Sequence, residues 1–410
     1  MKDKWPSEFP GTNWIDSDEE HAAVDVVRKG ALFRYYGPEE PTHVSALEER
    51  AKSIYGCRYA LAINGGTGAL ITSLVALSIG PGDEVIIPSF LWVSTVGAVV
   101  YANAVPVLCE VDSSFTMDPE DLEKKITANT KLIIAVHMAG TPCDMGRVME
   151  IADRRDIPVI EDCAQCNGGS FLGRKLGTFG KIGIFSFQIN KNITSGEGGL
   201  LVTDDELLYQ RLNAAHDVGV PWKNAEPAIS SGVTTWGQGR RMAELCGAVA
   251  NIQLGKLARV VEHTRGSHGR LRSALSSVTG LELRTLNDHD GHTGSFLVLI
   301  LPDGSAAKTV AENLGTAGLG AFFILAEYGL HIYFNIPQLV EHVPLSLAGN
   351  PWSLPQNVGL VRNYAKGECP ASDDLFERSI IITVPSRLSA EQEEKMAGII
   401  RNAVTQAMPA

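Results

Sequence analysis

No uninterrupted apolar run approaches the ~18 residues that a membrane-spanning helix requires, so no such helix is expected. The first residues, Met1-Lys2-Asp3-Lys4-Trp5-Pro6, lack the apolar core of a secretory leader, and a cytoplasmic location is the expectation. Basic charge is scarce: 35 Lys and Arg against 47 Asp and Glu leave a net charge of −12 (35 − 47). Such a surface speaks against a nucleic-acid or anionic-membrane partner, though not against an anionic small molecule. Cysteine gives no framework. The seven residues at 57, 109, 143, 163, 166, 246 and 369 are odd in number and scattered. Cys163 and Cys166 form a lone C-x-x-C without a second pair, so they read as packing residues in a reducing compartment, and no metal site is expected. Neither a G-x-x-x-x-G-K-[ST] loop nor a G-x-G-x-x-G at a strand–helix junction occurs, which disfavours a nucleotide-binding fold.

What is present is a chain of 410 residues, 44% hydrophobic, long enough for two domains. Apolar runs at 59–63, 83–88, 105–111, 131–137, 157–162, 182–187 and 200–203 read as seven strands. Helical segments fall between several of them, near 93–103, 118–126 and 144–155. This alternation implies an α/β fold with a mostly parallel sheet covered on both faces. A long helix is expected over 241–276 as a link. It is followed by a strand at 295–301, a helix at 305–317, a mixed apolar segment at 318–335, a strand at 379–384 and a final helix at 389–407. Residues 217–240 read as loop. The stretch 336–372, with prolines at 337, 344, 351, 355 and 370, reads as a loop over the active site.

The chemistry centres on Lys191. It lies in the irregular stretch between the strand ending Phe185-Ser186-Phe187 and the turn Gly196-Glu197-Gly198-Gly199. A lysine at strand ends is a candidate for Schiff-base chemistry with a carbonyl compound or with pyridoxal 5′-phosphate (PLP); a surface lysine in a turn is the plain alternative. Glu161-Asp162-Cys163-Ala164-Gln165 closes a buried strand 29 residues earlier (191 − 162). A carboxylate there suits the pyridine nitrogen of PLP, whose protonated ring is the electron sink; a helix N-cap is the other common use of Asp. Asn64-Gly65-Gly66-Thr67-Gly68 precedes a helix, where bare N–H groups and the helix dipole favour an anion.

Together these stretches resemble the DegT/StrS family of PLP-dependent aminotransferases. The family order E-D-x-A-Q, G-R-x-x-G, F-S-F, Lys, G-E-G-G is met by Glu161 to Gln165, Gly173-Arg174-Lys175-Leu176-Gly177, Phe185 to Phe187, Lys191 and Gly196 to Gly199. The resemblance runs from about residue 10 to the C-terminus and is firmest over 55–205. It implies a fold-type I transferase with a large PLP-binding domain, residues 1–250 including an N-terminal arm, and a smaller α+β domain, residues 251–410. It implies PLP/PMP as cofactor. Lys191 and Asp162 are the implied catalytic residues, and Gly66, Thr67, Trp92, Gln165 and Ser186 join them in binding the cofactor, with Trp92 stacking on the ring and Thr67 and Ser186 at the phosphate. It also implies a homodimer, because family active sites are built by two subunits. One departure stands out. The family commonly has N-Y-R-M, with the Asn reaching the neighbouring subunit's phosphate; here the matching residues are Gly239-Arg240-Arg241-Met242, so Gln238 or Arg240 is the candidate replacement.

The activity implied is transfer of an amino group from an amino acid, glutamate or glutamine, to a ketone on a sugar, nucleotide-linked sugar or cyclitol. The rivals are another PLP reaction, such as dehydration or oxidation, and a non-catalytic regulator on the same scaffold. Sugar dehydratases among the family's relatives carry histidine in place of the lysine, which Lys191 argues against.

Overall fold

Short β-branched runs bounded by turns set the frame. The computed structural model describes residues 5–220 and 232–408, so part of the loop expected over 217–240 lies outside the described residues. In chain order the strands are β1 Tyr59–Ile63, β2 Glu84–Pro88, β3 Val105–Cys109, β4 Thr130–Val136, β5 Val159–Asp162, β6 Ser170–Phe171, β7 Arg174–Lys175, β8 Ile182–Ser186, β9 Gly199–Thr203, β10 Glu282–Leu283, β11 Phe296–Ile300, β12 Phe322–Ile324 and β13 Ser379–Thr383. Seven of them form one sheet in the order β1-β9-β8-β5-β4-β2-β3. The segment from β3 to β8 is parallel, while β9 runs antiparallel to both β8 and β1. Both faces are covered, which is why β2 and β3 read as continuous apolar runs rather than alternating ones. This is the α/β architecture expected from the sequence.

A second, four-stranded antiparallel sheet has the order β10-β11-β13-β12. The helices Gly304–Thr316 and Ala390–Ala407 pack with it around a separate apolar core. The last helix begins with a capping box between Ser389 and Gln392.

The helix Glu244–Leu275 joins the two parts. Ala250, Leu254, Leu257 and Val261 on its first half bury into the core beneath the large sheet, and Leu271 and Leu275 on its second half bury into the small core. The spacing of three and four residues keeps these groups on one stripe.

The loop at 336–372 does not lie where it was expected. None of the described residues lining the central cavity comes from it. It docks on the β2–β3 side instead. The Asn357 side chain accepts from Gly82 N (2.7 Å) and donates to Asn103 O (2.9 Å), Arg362 pairs with Glu84 (2.7 Å), and the Tyr364 hydroxyl donates to Pro106 O (2.8 Å). These polar anchors hold it against the sheet edge, away from the strand ends that carry Lys191 and Asp162.

Arg284, fully buried just after β10, crosses between the two sheets. Its guanidinium donates to Ser114 O (2.6 and 3.2 Å), Ala139 O (2.9 Å) and Met138 O (3.2 Å). Ala139 sits at φ 51°, a left-handed backbone that a non-glycine residue adopts only when its surroundings fix it. Truncation of Arg284 to Ala would strand the carbonyls of Ser114 and Ala139 and leave Met138 O with only its bond from Thr141 N (3.3 Å). At roughly 1–3 kcal/mol for each unsatisfied group, Arg284→Ala is expected to cost about 3 kcal/mol or more, read as a lowered chemical-denaturation midpoint. A midpoint within error of wild type would refute the cross-link.

Candidate active site

The large sheet reverses direction between β8 and β9, and Lys191 rides on the connection. Phe187 N donates to Gly198 O (2.8 Å) and Ser195 N to Phe187 O (3.0 Å), so the loop is clamped at its neck. Gly196 takes φ 81°, a conformation costly for any other residue. Gly199 faces Gly65 so closely that an added Cβ would come within 2.7 Å of the Gly65 carbonyl carbon. The G-E-G-G turn thus presses the lysine loop onto the mouth of the helix Gly66–Ala76. From behind, the arm ahead of the first strand supports the loop: Gly11 N donates to Lys191 O (3.1 Å).

The loop opens into a cavity of about 760 Å³ whose lining includes Gly66, Thr67, Trp92, Asp162, Gln165, Ser186 and Lys191 and, of the two candidate replacements for the family Asn, Arg240 but not Gln238. Lys191 makes no side-chain hydrogen bond or ion pair among the described residues. Burial pulls its amine below the ordinary 10.5, and the carboxylates of Asp162 and Glu197 push it partly back.

Asp162 ends β5 and is only 4% exposed. Its carboxylate accepts from Ala164 N (3.0 Å) and the Thr95 hydroxyl (3.1 Å). Burial raises its pKa, and those two hydrogen bonds and the Lys191 charge lower it in part. The preceding residue does structural work. Glu161 accepts from Gly177 N (2.8 Å), Phe179 N (2.6 Å) and Gly180 N (2.8 Å), and contacts His137 Nε2 at 3.2 Å. His137 Nδ1 accepts from Cys143 N (3.1 Å). Both ring nitrogens and the carboxylate are therefore engaged, and the buried His137–Glu161–Cys163 group is a strut under Asp162 rather than an open ligand set.

On the opposite wall the helix Gly66–Ala76 starts at Gly65 with no side-chain cap, leaving its first amides free. The Thr67 hydroxyl lies 2.7 Å from that of Ser94, and a Cβ on Gly66 would touch Ser186 Cβ at 3.0 Å. Free amides, three hydroxyls and a positive helix end make an anion cradle. Gln165 turns its carbonyl oxygen to Ala139 N (3.1 Å), tying it to the loop that Arg284 holds. Trp92, 41% exposed, packs against His331 at 4.7 Å between ring centroids, and His331 stacks on Tyr328 at 4.1 Å. Burial takes the His331 imidazole down to about 4, so it is neutral near pH 7.

Sequence reasoning passed over Ser94, Thr95, Phe323, Tyr328 and His331. Ser94 and Thr95 stand in the first turn of the helix Val93–Tyr101, right after Trp92, and were within reach of the same helix-start argument. Tyr328 and His331 offered no local signal. They reach the cavity because Leu91 N donates to His331 O (3.0 Å) and Tyr333 N to Ser89 O (3.2 Å), a long-range pairing.

The chain is 37% identical over 266 residues to L-glutamine:2-deoxy-scyllo-inosose aminotransferase of Streptomyces kanamyceticus, a match spanning 62% of each chain and so less than two thirds of that relative. It is 31% identical over 360 residues, 87% of each chain, to UDP-N-acetyl-3-dehydro-alpha-D-glucosamine 3-aminotransferase of Acidithiobacillus ferrooxidans. Among solved structures it superposes on an aminotransferase from Psychrobacter cryohalolentis with a TM-score of 0.82 and 25% identity over 98% of both chains. 3-Amino-5-hydroxybenzoic acid synthase gives 0.80 and 25%, covering 98% of this chain and 99% of that one. The model of the DegT/DnrJ/EryC1/StrS aminotransferase family matches residues 14–401, and the chain belongs to that family.

Proposed function

We propose that this protein is a PLP-dependent aminotransferase that moves an amino group from glutamate or glutamine to a ketone on a sugar, nucleotide-linked sugar or cyclitol, in a natural-product or cell-surface biosynthetic pathway. The observation that carries this reading is a half-buried amine, unengaged among the described residues, and a buried carboxylate opening on one cavity beside an uncapped helix N-terminus. The activities of the two relatives, one a 2-deoxy-scyllo-inosose aminotransferase and one a UDP-N-acetyl-3-dehydro-alpha-D-glucosamine 3-aminotransferase, support it.

The residues fit the cofactor. When bound, PLP supplies an electron sink for the charge released as a Cα–H bond breaks. Lys191 would hold its aldehyde carbon and, once released, carry a proton to and from the substrate carbon as a general base and acid. Its depressed pKa suits that task, since a neutral amine is needed to take the proton. Asp162 would keep the ring nitrogen protonated. Gly66, Thr67 and Ser186 would hold the phosphate, Gln165 would contact the cofactor and Trp92 would cover the ring face. His331, neutral and beside Trp92, bounds the same cavity where an acceptor would enter. The working assembly in this reading is a cytoplasmic homodimer, and each chain divides into a PLP-binding part, 1–250, and a smaller part, 251–410.

Lys191→Ala should lower amino transfer by at least about 10³-fold, near the middle of the range for a general base. The check is a visible spectrum of purified protein before and after addition of glutamate or glutamine. Wild type should carry a PLP band that the donor converts, and the variant should not respond. A wild-type PLP band that no amino acid converts would favour another PLP chemistry; no PLP uptake at all would favour a binding protein.

The Lys191 amine also gives a pH test. Because burial lowers its pKa and the Asp162 carboxylate opposes this, reductive trapping of Lys191 by an aldehyde in the cofactor-free protein should show a midpoint below 10.5. Asp162→Asn should move it lower still, because a charge that favours the ammonium form is lost. A midpoint at or above 10.5 in wild type, followed by mass spectrometry of the Lys191 peptide, would contradict the desolvated amine.

A further inference from the structure

Arg240 is held at the edge of the anion cradle and, among the described residues, forms no ion pair. An isolated bridge pairs Ile63 with Arg241, Asn64 N donates to Arg240 O (2.9 Å), and Arg240 N donates to His216 O (2.6 Å). The backbone of Arg240 therefore runs beside the last residue of β1, where the chain enters Gly65-Gly66. Its side chain reaches over the first turn of the following helix: a Cβ on Gly68 would lie 3.4 Å from both Arg240 Cδ and Arg240 Nη1. Arg240 lines the cavity together with Gly66, Thr67, Ser94 and Ser186.

Arg240 Nε is sealed from solvent without a hydrogen-bond partner, and among the described residues the side chain forms no ion pair. Its neighbour Arg241, by contrast, is paired with Asp217. The nearby carboxylate is that of Glu197, whose Oε2 would lie 3.8 Å from a Cβ on Gly65, and it makes no ion pair with Arg240. Partial burial pulls the pKa of Arg240 down, and Tyr101 opposes this in part. Among the described lining residues, the only other lysine or arginine is Lys191. A buried N–H with no acceptor calls for one, and a guanidinium fork matches a phosphate or a carboxylate; the uncapped helix start and the hydroxyls of Thr67, Ser94 and Ser186 beside it favour the phosphate.

We propose that Arg240 binds the phosphate monoester of the cofactor, closing the cradle formed by Gly66, Thr67, Ser94 and Ser186 with a cation from the same chain. This rests on the PLP reading above. It also assigns a use to the Gly239-Arg240 departure, since the charge arrives one residue after the position where the resembled family commonly has an Asn serving the neighbouring subunit.

The test compares PLP with pyridoxal, which lacks the phosphate, on cofactor-free wild type, R240Q and R240K, with affinity read from absorbance titration. R240Q is expected to lose about 10–100-fold in PLP affinity, the worth of a charge-assisted hydrogen bond, and R240K less. Pyridoxal affinity should stay within about twofold in all three. Inorganic phosphate should raise the melting temperature of wild type and not that of R240Q. R240K keeps the charge without the fork and serves as the folded comparison if R240Q does not fold; wild-type PLP affinity in R240K, together with no stabilisation of wild type by phosphate, would then overturn the assignment. Equal PLP affinity in wild type and R240Q overturns the Arg240 assignment alone, as does a loss that falls equally on pyridoxal. A raised KM for the amino donor with unchanged PLP affinity also overturns it, by making the donor carboxylate the partner. Wild type that takes up no PLP brings down the cofactor reading itself.

Discussion

A half-buried amine and a buried carboxylate share one cavity without touching, and the rest of the structure depends on keeping them so. Each alone would be driven toward its neutral form by desolvation; each charge partly holds the other in its ionised state. Holding two such groups apart requires rigid mounts. Asp162 is mounted at the end of a central parallel strand, braced below by Glu161 and its three backbone donors. Lys191 is mounted on a loop clamped at both ends and backed by the N-terminal arm.

The remaining walls are brought in by long-range polar contacts. Arg284 fixes the loop at 138–140, and that loop's amide orients Gln165. Thr293 N donates to Gly140 O (2.8 Å), and Ser295 donates to Asn192 Oδ1 (2.9 Å) beside Lys191. The small sheet is thus not an appendage. The segment from 284 to 295 touches the supports of the lysine and of the glutamine alike, so any motion of the small sheet would be felt at both.

Much of this was legible in the sequence. All seven strands of the large sheet stand within a few residues of their apolar runs, because a sheet buried on both faces leaves an unbroken apolar signal in each strand. The long helix and the capped final helix were equally plain. The seven residues singled out from the motifs and the resemblance they carry all line one cavity. What could not be read was which distant segments dock where. The stretch 336–372 looked like a cover for the site, yet single polar groups, Asn357, Arg362 and Tyr364, fasten it to the far sheet edge. His331 enters the cavity through backbone pairing with 89–91. Neither event leaves a period or a local composition in the chain.

The antiparallel return of β9 has a consequence for how this sequence can vary. Leu200 and Val202 face one core and Leu201 the other. Both faces are apolar, so polarity alone would not oppose a slip in register; the close approach of Gly199 to Gly65 does. Deleting one residue between 187 and 198 would slide Leu200 into that contact, and a change of length in either direction would displace the lysine along its loop. The count of residues in this connection is therefore inherited as a unit: side chains within it can drift, but its length cannot change without uncoupling the sheet from its chemistry.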